Sequence, residues 1–265
     1  MNESIAGAAE FLAELRFSKK QEENIPEQWR PRDLESGYAI QAALLEKLVA
    51  NRGGSHVGYK VACTNKLAQE LLKVKSPFYG FLYSSWVHPS PAHLNHRDFS
   101  MRCIEAEFSF AMARDLPPRG TEYSKDEVAS AVAAILPAIE IVDTRYTEWT
   151  KVGAAALIAD NAANGAWVQG PHSTTDWKKL DLASHSVKLI VNGETKLWGS
   201  GAEVLGNPLN SLVWLANELR EKGMGLKAGN RITTGVCTDV YFAEPGDHIV
   251  ADFGEIGQAE LSFSL

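Results

Sequence analysis

The chain has 265 residues, 45% of them hydrophobic, a formal net charge of −7 and three cysteines. That length and apolar content support one large all-β or α/β domain, or two small ones, and exclude a disordered chain. The acidic balance excludes a general nucleic-acid binder, whose phosphate contacts need clustered Lys and Arg.

Short basic pairs such as Lys73 and Lys75, or Lys178 and Lys179, read as solvated surface. Cys63, Cys103 and Cys237 are far apart and form no C-x-x-C, which excludes a zinc ribbon or a thioredoxin-like redox motif. They read as reduced, partly buried thiols. The polar opening Met1-Asn2-Glu3-Ser4 and the lack of a membrane-length apolar stretch lead to the expectation of a cytoplasmic protein with no membrane partner.

The first fifty residues read as helical. Ile5 to Leu15 carries a helical apolar spacing, and a second helix starts near Asp33 or Ser36 and runs through Ile40, Leu44, Leu45 and Leu48 to Gly53-Gly54. Lys19 to Arg32 between them is polar, contains Pro26 and Pro31, and reads as a linker. From His56 the pattern changes to short strands, with Val57 to Ala62 and Ile104 to Met112 as candidates. Ser124-Lys125-Asp126-Glu127 is a capping box, predicting a helix through Val128, Val132 and Ile135 closed by Pro137, after which a strand carries Glu140. Asn164-Gly165 introduces Ala166-Trp167-Val168, and Val187 to Val191 with Thr195 to Trp198 flank Asn192-Gly193, a hairpin signal. A helix begins at Asn207 with Pro208 in its first position and runs through Leu212, Leu215 and Leu219 to Gly223. Short strands follow around Arg231 to Gly235, Val240 to Ala243, His248 to Asp252 and Glu260 to Phe263. The expected class is mixed α+β and mainly β, with a helical N-terminal cap over residues 1–55, a β-rich body over 56–265 and two inserted helices.

The most informative residues are acidic. Glu105 and Glu107 sit in the apolar run Ile104-Glu105-Ala106-Glu107-Phe108-Ser109-Phe110, and Glu140 in Pro137-Ala138-Ile139-Glu140-Ile141-Val142-Asp143. Strand side chains alternate, so Glu105 and Glu107 share a face roughly 7 Å apart along the backbone. Like charges in half-buried surroundings repel and carry a desolvation cost, both of which a hard divalent cation removes. Solvent exposure, or pairing with Arg102, Arg114 or Arg145, is the competing reading for a single E-x-E. The same anomaly in a second strand shifts the balance to an oxygen-only site for Mg²⁺ or Mn²⁺.

Lys60 shares its strand face with the small residues Gly58 and Ala62, leaving room beside its ammonium. On residues alone, a strand-edge lysine with its stem packed and its head in water is the favoured reading. Asp160-Asn161-Ala162-Ala163-Asn164-Gly165 reads as a hydrogen-bonded loop, and Thr233-Thr234-Gly235 as a strand end open to either a ligand or internal bonds. Gly199-Ser200-Gly201-Ala202-Glu203-Val204 departs from a dinucleotide fingerprint at Val204 and reads as a turn, while His93 and His96 lack zincin spacing.

Together these segments resemble the 2-keto-4-pentenoate hydratase group of the fumarylacetoacetate hydrolase superfamily. The resemblance rests on Gly58-Tyr59-Lys60-Val61, Glu105-Ala106-Glu107, Pro137-Ala138-Ile139-Glu140-Ile141-Val142-Asp143 and Ala159 to Gly165. Further support comes from Val204-Leu205-Gly206-Asn207-Pro208, Gly225 to Gly229, Thr234-Gly235, Pro245-Gly246-Asp247 and Ala251 to Gly254. It runs from about Gly37 onward, and Glu140 as third acid is similar to the hydratase and decarboxylase branch. The resemblance implies a β-roll or sandwich body and a self-assembling Mg²⁺ or Mn²⁺ enzyme of aromatic-compound degradation. Its substrate would be a 2-oxo or 2-hydroxy-dienoate. The implied reaction is hydration to a 4-hydroxy-2-oxo acid; the alternatives are decarboxylation of the 4-oxalocrotonate type, C–C hydrolysis of an acylpyruvate, or a non-catalytic metal-binding homologue. It implies Glu105, Glu107 and Glu140 as metal ligands, Lys60 beside the substrate, and Asp160, Asn161, Thr234 and Gly235 at the pocket. The chain departs from the group in Lys75-Ser76-Pro77-Phe78-Tyr79-Gly80, with Phe78 where an acidic residue is general. Phe78 and Tyr79 then suit an apolar pocket wall.

Overall fold

A computed structural model describes residues 2–265. Two helices open the chain. In α1 (Glu3–Ser18) the Asn2 side chain accepts from Ser4 N–H. In α2 (Leu34–Arg52) Asp33 and Ser36 form a reciprocal capping box that satisfies first-turn N–H groups. Ala8, Ala9 and Leu12 of α1 pack with Ile40, Leu44 and Leu48 of α2 in one buried cluster. That cluster continues into Phe78, Tyr146 and the short helix α5 (Ala154–Ala159), so the cap is seated on the body.

The body holds two sheets. The larger has the order β2-β1-β10-β5-β6-β7-β3, built from β1 (His56–Ala62), β2 (Phe78–Tyr83), β3 (Val87–Pro89), β5 (Cys103–Met112), β6 (Val132–Val142), β7 (Asn164–Gln169) and β10 (Arg231–Val236). The short β11 (Tyr241–Phe242) also pairs with β5. The second sheet has the order β4-β13-β12-β8-β9, from β4 (Ala92–Leu94), β8 (Ser186–Val191), β9 (Glu194–Ser200), β12 (His248–Asp252) and β13 (Gln258–Phe263). Ile104, Ala106, Phe108 and Phe110 on one face of β5 are fully buried against this second sheet's inner face. The Phe108 ring meets Phe253 edge-on at 4.9 Å between centroids. The β8–β9 hairpin turns through Asn192 (φ 53°) and Gly193 (φ 83°), the left-handed pair a tight hairpin requires. Helix α6 (Pro208–Glu221) buries Leu212, Leu215 and Leu219.

Two expectations are corrected. The capping box at Ser124 opens only a short helix, α4 (Lys125–Ser130), and Val132 and Ile135 belong to β6. Pro137 lies inside that strand opposite Phe108. It is tolerated there because it falls one pair beyond Ala138–Gln169, where β7 ends, and its carbonyl accepts from Gly170 N–H at 2.9 Å. The inserted helices number four among the described residues, because α3 (Lys66–Leu72) and α5 give no amphipathic signal. No residue of α3 is buried, while α5 is apolar throughout.

Candidate metal centre

Four neighbouring strands build the site, each through its period-two alternation. Antiparallel pairing of β5 with β6 sets Glu105 opposite Glu140, and β10 on the other flank of β5 is followed by β1, where Lys60 lies opposite Thr233. Glu105, Glu107 and Glu140 each offer a carboxylate oxygen, all within 4.8 Å of one another. Glu107 and Glu140 are fully buried, and Glu105 is half-buried and lines a cavity.

Lys60 is 2% exposed, which overturns the reading of a strand-edge lysine. Strand β1 is internal, flanked by β2 and β10. The ammonium lies 2.9 Å from Glu140 Oε1 and donates to the Ala162 carbonyl at 2.9 Å. Pairing of the glutamates with arginine is likewise not found among the described residues. Arg145 is spent on Asp143, Arg102 on the carbonyls of Ala243 and Phe99, and Arg114 on Ser130.

Three carboxylates against one ammonium leave a formal charge of −2 in a buried space. Burial first, and the charge of Glu140 second, lift the Glu105 carboxyl from 4.5 to about 7. The same two causes in the same order, with Glu105 third, hold Glu107 well above its usual range. Burial pulls the Lys60 ammonium down, but attraction to Glu140, Glu105 and Glu107 outweighs it and leaves it raised. Glu107 Oε1 and Glu140 Oε2 are buried with no hydrogen-bond partner. An unpartnered buried carboxylate oxygen is costly unless something positive faces it. The residues present therefore fit a hard divalent cation with oxygen ligands, its two charges matching the deficit.

The other oxygen of Glu107 is held from β10. Thr233 Oγ1 and Gly235 N–H both donate to Glu107 Oε2, the latter at 2.7 Å. A register shift between Thr233 and Val236 turns the Gly235 N–H inward. Gly235 has φ 108°, and a Cβ there would sit 2.0 Å from Thr64 Oγ1, so only glycine fits. Neither Thr233 nor this amide was marked as a metal-centre contact by sequence; the bulge was the missing signal.

Beside Lys60 and Glu105 a cavity of about 130 Å³ opens, walled by Ala62, Leu72, Phe78, Met101, Val142, Trp149 and Leu157. Among the described residues, Lys60 and Glu105 are its only charged lining groups. Cys63 lines it too, its thiol pushed up to about 12 by burial. Of the residues expected at the pocket, Phe78 and Gly235 line it. Tyr79 stacks behind on Tyr38, with centroids 4.6 Å apart, and Thr234 Oγ1 donates to the Phe108 carbonyl at 2.8 Å. Asp160 and Asn161 are not brought to the cavity. Asp160 is wholly buried and taken up by Arg16, Thr144 and the Arg145 N–H. Asn161 bridges the N–H and carbonyl of Phe81 at 2.9 and 3.0 Å.

Asn161, Ala162 and Ala163 are consecutive left-handed residues, with φ of 52°, 53° and 58°. For residues with a Cβ this conformation costs about 1–2 kcal/mol each. The turn aims the Ala162 carbonyl at Lys60, and it hands the chain to Asn164, whose Nδ2 donates to Glu140 Oε1 at 3.2 Å.

The curled, sheet-rich body and the acidic centre at its middle strands define the fumarylacetoacetate hydrolase-like class of fold. The fumarylacetoacetate (FAA) hydrolase C-terminal family matches residues 65–263, and the chain belongs to that family. It is 29% identical to a 2-keto-4-pentenoate hydratase of Paraburkholderia xenovorans over 97% of this chain and 93% of that protein. A 2-hydroxyhexa-2,4-dienoate hydratase of Comamonas testosteroni is 30% identical over 87% of this chain and 86% of the relative. Among solved structures, 4-oxalocrotonate decarboxylase from Pseudomonas putida G7, complexed with magnesium and adipate, superposes with a TM-score of 0.90. That alignment covers 99% of this chain and 98% of the other at 27% identity.

Proposed function

We propose that the protein is a metal-dependent hydratase that adds water to a 2-hydroxy-2,4-dienoate, giving a 4-hydroxy-2-oxo acid in the breakdown of aromatic compounds. The hydratases among its relatives support the reaction, and the charge-deficient cluster of Glu105, Glu107 and Glu140 supports Mg²⁺ or Mn²⁺ as its cofactor. A divalent cation held there supplies Lewis-acid charge for the carboxylate and 2-oxygen of a 2-oxo acid.

The chain's own groups do the rest. Lys60 Nζ, at the cavity wall beside Glu105, supports the negative charge that builds on the 2-oxygen as the 2-hydroxyl gives up its proton, a charge discharged when C5 is protonated. The same ammonium relays a proton by giving one of its own to C5 while the amine so formed takes the one leaving the 2-hydroxyl, so that it ends protonated as it began. The product of that step is a 2-oxo-3-enoate, whose conjugated C4 accepts water while C3 takes a proton. Thr233 and Gly235 hold Glu107 in place throughout. Phe78, Leu72 and Trp149 keep bulk water from the diene.

Decarboxylation of a 4-oxalocrotonate-like diacid is the second reading, favoured by the close superposition on such an enzyme. The cavity lining argues for hydration of a monoacid. Its wall beyond Lys60 offers no cation for a second carboxylate, and burying an unpaired carboxylate is prohibitive. This apolar wall is the observation that carries the choice. The test offers Mn²⁺-loaded protein 2-hydroxypenta-2,4-dienoate, 2-hydroxyhexa-2,4-dienoate and 4-oxalocrotonate. Loss of dienol absorbance with a hydroxyl at C4 is expected from the first two. CO₂ release from the third at a higher kcat/KM would overturn hydration in favour of decarboxylation. A homo-oligomer in the cytoplasm belongs to the same proposal, and light scattering on the purified protein checks the assembly.

A further inference from the structure

Helix α1 lies outside the segment matched by the family, yet one side chain of its last turn holds the loop that meets the metal centre. Arg16 is 8% exposed, does not line the substrate cavity and touches none of the glutamates. Its Nε donates to Asp160 Oδ1 at 2.8 Å, its Nη2 to the Asp160 carbonyl at 2.7 Å and its Nη1 to the Asn164 carbonyl at 3.0 Å. Asp160 and Asn164 are the two ends of the left-handed turn. The middle of that turn presents the Ala162 carbonyl to Lys60, and its exit places the Asn164 amide on Glu140.

We propose that Arg16 is a positioning residue for the reaction: by clamping residues 160 and 164 it holds the strained turn that orients the Lys60 ammonium and the Glu140 carboxylate. The proposal rests on the reading of Lys60 and Glu140 as active groups. A planar guanidinium suits the task because its fork meets both ends at once in fixed directions, which an ammonium cannot do. Asp160 then serves as the anchor of the clamp rather than as a group that meets substrate, and its second oxygen is fixed by Thr144 Oγ1 and Arg145 N–H. Three left-handed residues in a row, two of them alanine, persist only where their surroundings over-determine them. Arg16 supplies three of those determining bonds.

The test compares full-length Arg16→Ala and Arg16→Lys with Leu12→Ala, a buried change in the same helix that leaves the clamp intact. For Arg16→Ala the expected result is a kcat lower by about tenfold to a hundredfold with KM nearly unchanged, and weaker Mn²⁺ binding by calorimetry. Added guanidinium ion should restore part of kcat, entering by the cleft of about 270 Å³ that Arg16 borders. Leu12→Ala should lower the melting temperature without losing kcat and without rescue. If Arg16→Ala does not fold, Arg16→Lys decides: it keeps the charge beside Asp160 but not the span, and should lose kcat in the same way. An Arg16 variant that melts lower yet keeps wild-type kcat and Mn²⁺ affinity overturns the proposal and leaves Arg16 a staple of α1. Should the wild type turn over none of the dienoates, the hydratase reading fails, while a crystal structure of Arg16→Lys still judges this one. Departure of the Ala162 carbonyl from Lys60 supports the clamp, and an unchanged turn overturns it.

Discussion

Replacing Lys60 with methionine keeps most of the stem's volume and removes the ammonium. In the folded protein that group is one half of an ion pair whose side chains are 3% and 0% exposed, so water cannot take its place. Removing one partner of a buried pair costs about 3–5 kcal/mol, because the remaining charge stays desolvated. For a chain of this size each kcal/mol corresponds to about 2–4 °C of melting temperature, giving a loss of roughly 6–20 °C in the cation-free protein. The loss should be smaller with Mn²⁺ present, since the cation neutralises Glu140 in the lysine's place. Turnover of the dienoate should fall by about 10²–10⁴-fold, the range for loss of a proton-transfer group. Calorimetric melting of chelator-treated and Mn²⁺-loaded protein, beside a dienoate absorbance assay, measures all three. A kcat near wild type together with an unchanged cation-free melting temperature would refute the reasoning and make Lys60 a packing stem.

Two further outcomes concern the same centre. Glu105 is raised from 4.5 to about 7 without a cation, burial leading and the charge of Glu140 second, so the folded state holds a proton that the unfolded chain releases. Its contribution to stability is complete below about pH 4.5 and is lost as pH rises through about 7. Cation-free protein should therefore lose melting temperature across that window, Mn²⁺ should stabilise it more above about pH 7, and Glu105→Gln should remove this part of the pH dependence; identical profiles for the two proteins would contradict it. Gly235→Ala places a Cβ 2.0 Å from Thr64 Oγ1 at φ 108° and withdraws the N–H from Glu107. It should cost at least about 2 kcal/mol and weaken Mn²⁺ binding; unchanged melting and affinity would show that the bulge can be rebuilt.

The pairing of Glu105 with Glu107 was legible because strand alternation is a local rule, and Glu140 because its run repeats the same anomaly. The burial of Lys60 was not, since it depends on β1 lying between β2 and β10, a long-range fact no window of sequence contains. The reading of Val132 and Ile135 as helical failed for a related reason. The Ser124 capping box is real, but ten pairs with β5 override the helical spacing beyond Ser130. The hairpin at Asn192-Gly193 and the Pro208 helix carry their own turn and capping chemistry, and both stand as expected. Least legible was the turn at Asn161-Ala162-Ala163. Alanine gives no signal for a left-handed backbone, and the polar Asp160 and Asn161 that drew attention are consumed in holding the loop.

Titration of cation-free protein with Mn²⁺ in a calorimeter, for the wild type and Glu107→Gln, tests the metal centre most directly. The glutamate cluster predicts one ion per chain in the wild type and loss of that binding in the variant, whose fold is checked by its melting. Absence of binding in the wild type, or unchanged affinity and stoichiometry in Glu107→Gln, would contradict it.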